Sequence, residues 1–124
     1  MAKILIVDDD PDVAELGKLA LGKAGHEVSS ASNREEGLDA VKSFGPDLLI
    51  LDVMMEQPDD GISMAQQLRR EKFDKPILML TSIGKVSGMD FGKDEDMVPV
   101  DAFYEKPVAP DVLVNKVNEL LGKQ

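Results

Sequence analysis

KILIVDDD, residues 3–10, decides the fold. Ile4, Leu5, Ile6 and Val7 are an unbroken aliphatic run, three of them β-branched, with no alternation of polar and apolar positions. A strand with one face in water alternates. A continuous run of this length reads as a strand covered on both faces, as in a parallel sheet flanked by helices. The run stops at Asp8, and with three acids directly after it, it is far too short for a signal peptide or a membrane span. Asp10 is suited to cap a helix whose first position is Pro11, where proline's missing N–H costs nothing. Val13, Leu16, Leu19 and Ala20 then recur at helical spacing until Gly25. Residues 3–25 are therefore one strand-then-helix unit.

The same unit repeats outward from this stretch without any repeat of sequence. EVSSA (27–31) reads as a second strand, and Ser32 with Glu35 forms an S-x-x-E capping box that opens a helix through Leu38 and Val41 to a stop at Gly45-Pro46. DLLIL (47–51) is a third strand ending at Asp52, and after a Pro/Asp/Gly loop Ile62, Ala65 and Leu68 mark a third helix. PILML (76–80) is a fourth strand ending at Thr81. Between Ser82 and Asp101 four breakers, Gly84, Gly88, Gly92 and Pro99, lie among acids, so a fourth helix there is expected to be short or irregular. AFYE (102–105) is a fifth strand, Lys106-Pro107 a turn, and Leu113, Val117, Leu120 and Leu121 the buried stripe of a fifth helix. Alternation of this kind predicts an α/β, doubly wound fold with a five-stranded parallel sheet and right-handed crossovers.

Composition narrows the function. The 124 residues fit one domain, 1–124, and can bury a core without staples. There is no cysteine, which removes thiol catalysis and zinc-thiolate sites and suits a reducing, cytoplasmic setting. The net charge of −10 opposes direct binding to nucleic acid and insertion into anionic membranes. His26, the single histidine, falls in a turn and reads as a surface residue, while Met54, Met55, Met64 and Met79 read as core filler.

In a parallel sheet, ligands bind beyond the carboxyl ends of the strands. Asp8 and Asp9 follow strand one, Asp52 strand three, Thr81 strand four and Lys106 strand five, so the polar residues that end apolar strands meet at one edge. Gathered carboxylates repel unless protonated or bridged by a cation, and a hard cation such as magnesium takes oxygen ligands from one or two carboxylates plus phosphate oxygens. A carboxylate so placed can itself attack a phosphoryl group. The transferred group spreads charge over its oxygens, which an ammonium from Lys106 and a hydroxyl from Thr81 would stabilise.

VDDD with Asp8 and Asp9, LILDVMM with Asp52, LMLTS with Thr81 and YEKP with Lys106 together resemble the signature set of response-regulator receiver domains, over essentially the whole chain. The resemblance implies a flavodoxin-like sheet of order 2-1-3-4-5 with five helices. It implies phosphorylation of Asp52, with magnesium (Mg2+) held by Asp9, Asp52 and the Met54 carbonyl while Asp8 acts through water. Thr81 and Lys106 would contact phosphoryl oxygens, and Phe103 would be the aromatic switch residue. The phosphoryl donor would be a histidine kinase or a His-phosphotransfer protein, and the output a downstream protein target. Met54 and Ile83, two positions beyond Asp52 and Thr81, are apolar where fast self-dephosphorylating members carry polar groups, which implies a comparatively long-lived phosphoryl group.

The chain departs from that pattern in the EQPDDG loop (56–61), one residue longer with Glu56 in place of proline, and in the long stretch between Thr81 and Lys106. It stops after the fifth helix, so the expectation is a single-domain regulator. Two other classes remain open on the residues. One is a pseudo-receiver that binds partners without phosphorylation. The other is a haloacid-dehalogenase-type phosphatase, for which Asp8 and Asp10 supply a D-x-D.

Overall fold

A computed structural model describes residues 2–52, 60–82, 102–106 and 109–122. Its elements run β1 (Lys3–Val7), α1 (Pro11–Lys23), β2 (Glu27–Ala31), α2 (Arg34–Phe44), β3 (Leu48–Asp52), α3 (Asp60–Arg70), β4 (Ile77–Ser82), β5 (Ala102–Lys106) and α4 (Pro110–Gly122). The five strands form one sheet of order β2-β1-β3-β4-β5, and each neighbouring pair is parallel. The α4 defined here is the helix counted as fifth in the sequence. The irregular fourth helix expected before it lies outside the described residues.

The uninterrupted aliphatic runs are explained by two cores on opposite sheet faces. Leu5, Val7, Leu49, Leu51, Ile77 and Met79 point to one face, where Met64, Ala65 and Leu68 of α3 cover them together with partly buried residues of α2. Ile4, Ile6, Leu48, Ile50, Leu78 and Leu80 point to the other, under Leu21 of α1 and Leu113, Val117 and Leu120 of α4. Each such side chain contributes roughly 1.5–3 kcal/mol on burial, so both layers are needed to hold the central strands. Met64 and Met79 are core filler, as expected.

Three local expectations change. In α1 the buried positions are Gly17 and Leu21, with Val13, Ala14 and Ala20 half-buried, whereas Leu16 and Leu19 are 60% and 54% exposed. The stripe from Val13 runs through i+4, i+7 and i+8, and Gly17 holds the central seat. Glycine fits there because a Cβ would stand 2.6 Å from Ile6 Cδ1, so the helix lies close on β1. At α2 the cap is Asn33, whose Oδ1 accepts the Glu36 N–H at 2.8 Å. Glu36 accepts from the Ser32 N–H at 3.1 Å and hydroxyl at 2.8 Å, so the cap sits one residue later than Ser32, and Glu36 rather than Glu35 reaches back, to the residue before the cap. Finally, β4 and β5 run further than their apolar cores, because Thr81 pairs with Glu105 and Ser82 with Lys106. Lys106 thus ends a strand rather than beginning a turn.

Candidate functional site

Asp8 and Asp52 are brought together by register. β1 and β3 are neighbours with Val7 opposite Leu51, so Asp8, which follows β1, and Asp52, the last residue of β3, stand side by side at the carboxyl edge of the sheet. The Asp8 N–H still donates to Ala31 O at 3.1 Å, prolonging the ladder with β2 by one residue. Asp8 Oδ1 accepts the Asp10 N–H at 2.9 Å, and Asp10 Oδ1 accepts the Asp12 N–H at 2.9 Å, which caps α1 as expected. This chain of local bonds turns the backbone so that Asp9 faces the same space as its neighbours.

Carboxylate oxygens of Asp8, Asp9 and Asp52 all lie within 4.8 Å of one another. Asp8 and Asp52 are 2% and 5% exposed, and Asp9 is open to solvent. At that spacing each pair of charges repels by roughly 3–4 kcal/mol at an effective dielectric near 20. Three such pairs are comparable with a domain's whole stability, so the cluster calls for a compensating charge. Three hard oxygens from two buried groups and one accessible group fit a small divalent cation that keeps water on its open side. An all-oxygen donor set favours such a hard cation over soft metals, which draw on sulfur and imidazole.

Thr81 and Lys106 reach the same edge by backbone position. Asp52 is opposite Leu80, which places Thr81 one residue beyond, and Lys106 is the last residue of β5 beside Ser82. Phe103 lies mid-strand opposite Met79. Met54, Ile83 and the 56–59 part of the altered loop lie outside the described residues. The D-x-D reading loses support because the Asp10 carboxylate is engaged as the α1 cap.

Beside Asp8 and Asp9 opens a cleft of about 430 Å³ between α1 and the β2–α2 junction, walled by Glu15, Lys18, Ser30 and Glu36 among others. Nothing in the sequence announced it, because its walls come from three separate elements. The Glu36 carboxyl is held below its ordinary range by the Ser32 backbone N–H and hydroxyl, and therefore stays ionised.

A family model for the response regulator receiver domain matches residues 4–118. The chain belongs to the response-regulator receiver family. Among its relatives, the alkaline phosphatase synthesis transcriptional regulatory protein PhoP of Bacillus subtilis is 37% identical, over 98% of this chain and 49% of PhoP. The DNA-binding dual master transcriptional regulator RpaA of Synechocystis is 35% identical, over 99% of this chain and 50% of RpaA. The chain spans about half the length of these relatives. The receiver domain of the Francisella response regulator 1452 superimposes with a TM-score of 0.86 at 26% identity, covering 99% of this chain and 98% of that one. The receiver is flavodoxin-like, with the 2-1-3-4-5 order that the sequence resemblance implied. Among the described residues, no helix is long and apolar enough to cross a membrane.

Proposed function

We propose that this receiver is a magnesium-dependent phosphoacceptor switch with Asp52 as the acceptor. The observation that carries the reading is the cluster of three carboxylates at the ends of β1 and β3, with Asp52 buried at its base. Asp8, Asp9, Asp52 and the Met54 carbonyl would hold the ion, Asp8 through water, and the ion would neutralise the carboxylates and the charge on phosphoryl oxygens. An Asp52 oxygen attacks the phosphorus of a phosphohistidine, and an acyl phosphate bond forms as the P–N bond breaks. The leaving imidazole keeps the bonding electron pair and takes up a proton. Thr81 and Lys106, at the ends of β4 and β5, donate to the phosphoryl oxygens. Phe103 and Thr81 pass the change to the surface.

The donor is a histidine kinase or a His-phosphotransfer protein in the cytoplasm, and the output is carried by a protein target. A net charge of −10 makes the receiver itself a poor ligand for nucleic acid. The chain is best described as a signalling domain that catalyses its own phosphorylation and not as an enzyme acting on other substrates.

The test is intact-mass spectrometry after incubation with acetyl phosphate, with and without magnesium. A single phosphoryl adduct is expected only with magnesium, and none in Asp52→Ala. Absence of the adduct in the wild type, under conditions that label another receiver, would instead favour a pseudo-receiver that works by binding alone.

A further inference from the structure

His26 stands apart from the acidic site, at the opposite end of the sheet. Its backbone N–H donates to Leu21 O at 3.1 Å and helps close α1. Its side chain makes two more links, one to each end of the described chain. Nδ1 lies 3.2 Å from the Ala2 backbone nitrogen, and Nε2 lies 2.9 Å from Asn118 Oδ1 on α4. The neighbouring Glu27 N–H donates to Ala2 O at 2.9 Å, so the chain start is held to β2 from both sides.

A backbone N–H can only donate, so Nδ1 must be the acceptor and carry no proton. Nε2 then carries the proton of the neutral ring and donates to the Asn118 carbonyl oxygen. Both ring nitrogens are satisfied in that one tautomer. Protonation places a hydrogen on Nδ1 facing the Ala2 N–H, and that link is lost. The Nε2–H to Asn118 link survives, now with a charged donor, and is strengthened.

We propose that His26 is a one-sided, protonation-sensitive latch, which in acid gives up the Ala2 backbone N–H, leaving Ala2 held by the Glu27 N–H alone, while keeping its hold on α4. The charged residues next to it or to its partners along the chain are Lys3 on β1, Lys23 at the end of α1, Glu27 on β2, and Lys116 and Glu119 on α4, while Asp12, Glu15 and Lys18 of α1 and Asp111 of α4 lie further along their helices. Lys116 and Glu119 pair with each other at 3.3 Å, and Lys3 Nζ donates to Phe44 O at 3.4 Å over that residue's ring. Among the described residues, the two hydrogen-bond partners of the imidazole carry no charge, so the loss of the Ala2 link follows from which ring nitrogen accepts and not from an ion pair.

Nuclear magnetic resonance on the full chain tests this between about pH 8 and about pH 5, the range in which histidine changes charge. Imidazole nitrogen shifts at the upper end should report the proton on Nε2. As His26 titrates, the Ala2 amide should lose roughly fivefold in exchange protection, the worth of one hydrogen bond. The Asn118 side-chain resonances should persist. His26→Gln, whose carboxamide accepts and donates without titrating, should show a flat profile for Ala2. A proton on Nδ1 in the neutral ring, protection of Ala2 that ignores the titration, or the same fall in His26→Gln would each overturn the latch.

Discussion

Asp8, Asp9 and Asp10 are chemically identical and do three different things. Asp8 is buried and holds the Asp10 backbone, Asp9 adds an accessible carboxylate to the cluster, and Asp10 caps a helix. Substitutions in the same acidic patch should therefore have opposite signs. In magnesium-free buffer Asp52→Asn removes one charge from a mutually repelling trio, and urea denaturation should show a gain of about 1–3 kcal/mol. Asp10→Ala removes a cap and should lose about 1 kcal/mol whether or not magnesium is present. A loss of stability in Asp52→Asn without metal would mean that the cluster is not electrostatically strained. Glu36 gives a further residue-level test by pH. Its folded value is lowered by Ser32, so its contribution is complete above the ordinary carboxylate value of 4.5 and disappears as pH falls through the folded value. Ser32→Ala should move the Glu36 titration, followed by carbon resonance, back up towards 4.5.

At the scale of elements, helix ends show how the chain is punctuated. The α2 helix ends on Gly45 at φ 65°, and the α3 helix is followed by Lys72 at φ 70°, the same left-handed conformation in a residue that has a Cβ. Around Lys72 the Phe73 N–H donates to Leu68 O at 2.9 Å, and Arg69 Nη1 bonds Phe73 O and Lys75 O, both at 2.8 Å, so the turn is held despite the strain. Gly45→Ala should destabilise by about 1 kcal/mol, and Lys72→Gly should stabilise by up to about 1 kcal/mol, partly offset by the freer unfolded chain. Thermal unfolding of the pair checks both signs at once. These elements also show what sequence carries. The central strands β1, β3 and β4 were legible because burial on both faces leaves an unbroken aliphatic run, and the carboxyl-edge convergence of Asp8, Asp9 and Asp52 follows once the strands are parallel. The α1 stripe misled because Gly17 has no side chain to mark a contact face, while Leu16 and Leu19 suggest one. The α2 cap slipped because Ser32 and Asn33 are both good capping residues and Glu35 and Glu36 are both acids. The cleft beside Asp9 and the His26 bridge join residues far apart in sequence, and periodicity has no means to reveal such pairs.

For the whole molecule, the decisive feature is that the acidic site exists only when the sheet is assembled. Its carboxylates come from residue 52 on one strand and residues 8 and 9 after another, so the unfolded chain offers no comparable ligand set. A cation that binds the folded state alone must then stabilise the entire fold, by about 2.7 kcal/mol at a hundred times its dissociation constant. In a domain of this size that corresponds to a rise in Tm of about ten degrees. General screening of the net charge of −10 would also stabilise, but sodium chloride of equal ionic strength reproduces screening and cannot reproduce coordination. Magnesium should therefore raise Tm well beyond the sodium control in the wild type and far less in Asp52→Asn, with the midpoint climbing as the logarithm of magnesium concentration. Equal shifts in the two salts would reduce the cluster to a patch of surface charge, and the phosphoacceptor reading would lose the ion on which its chemistry depends.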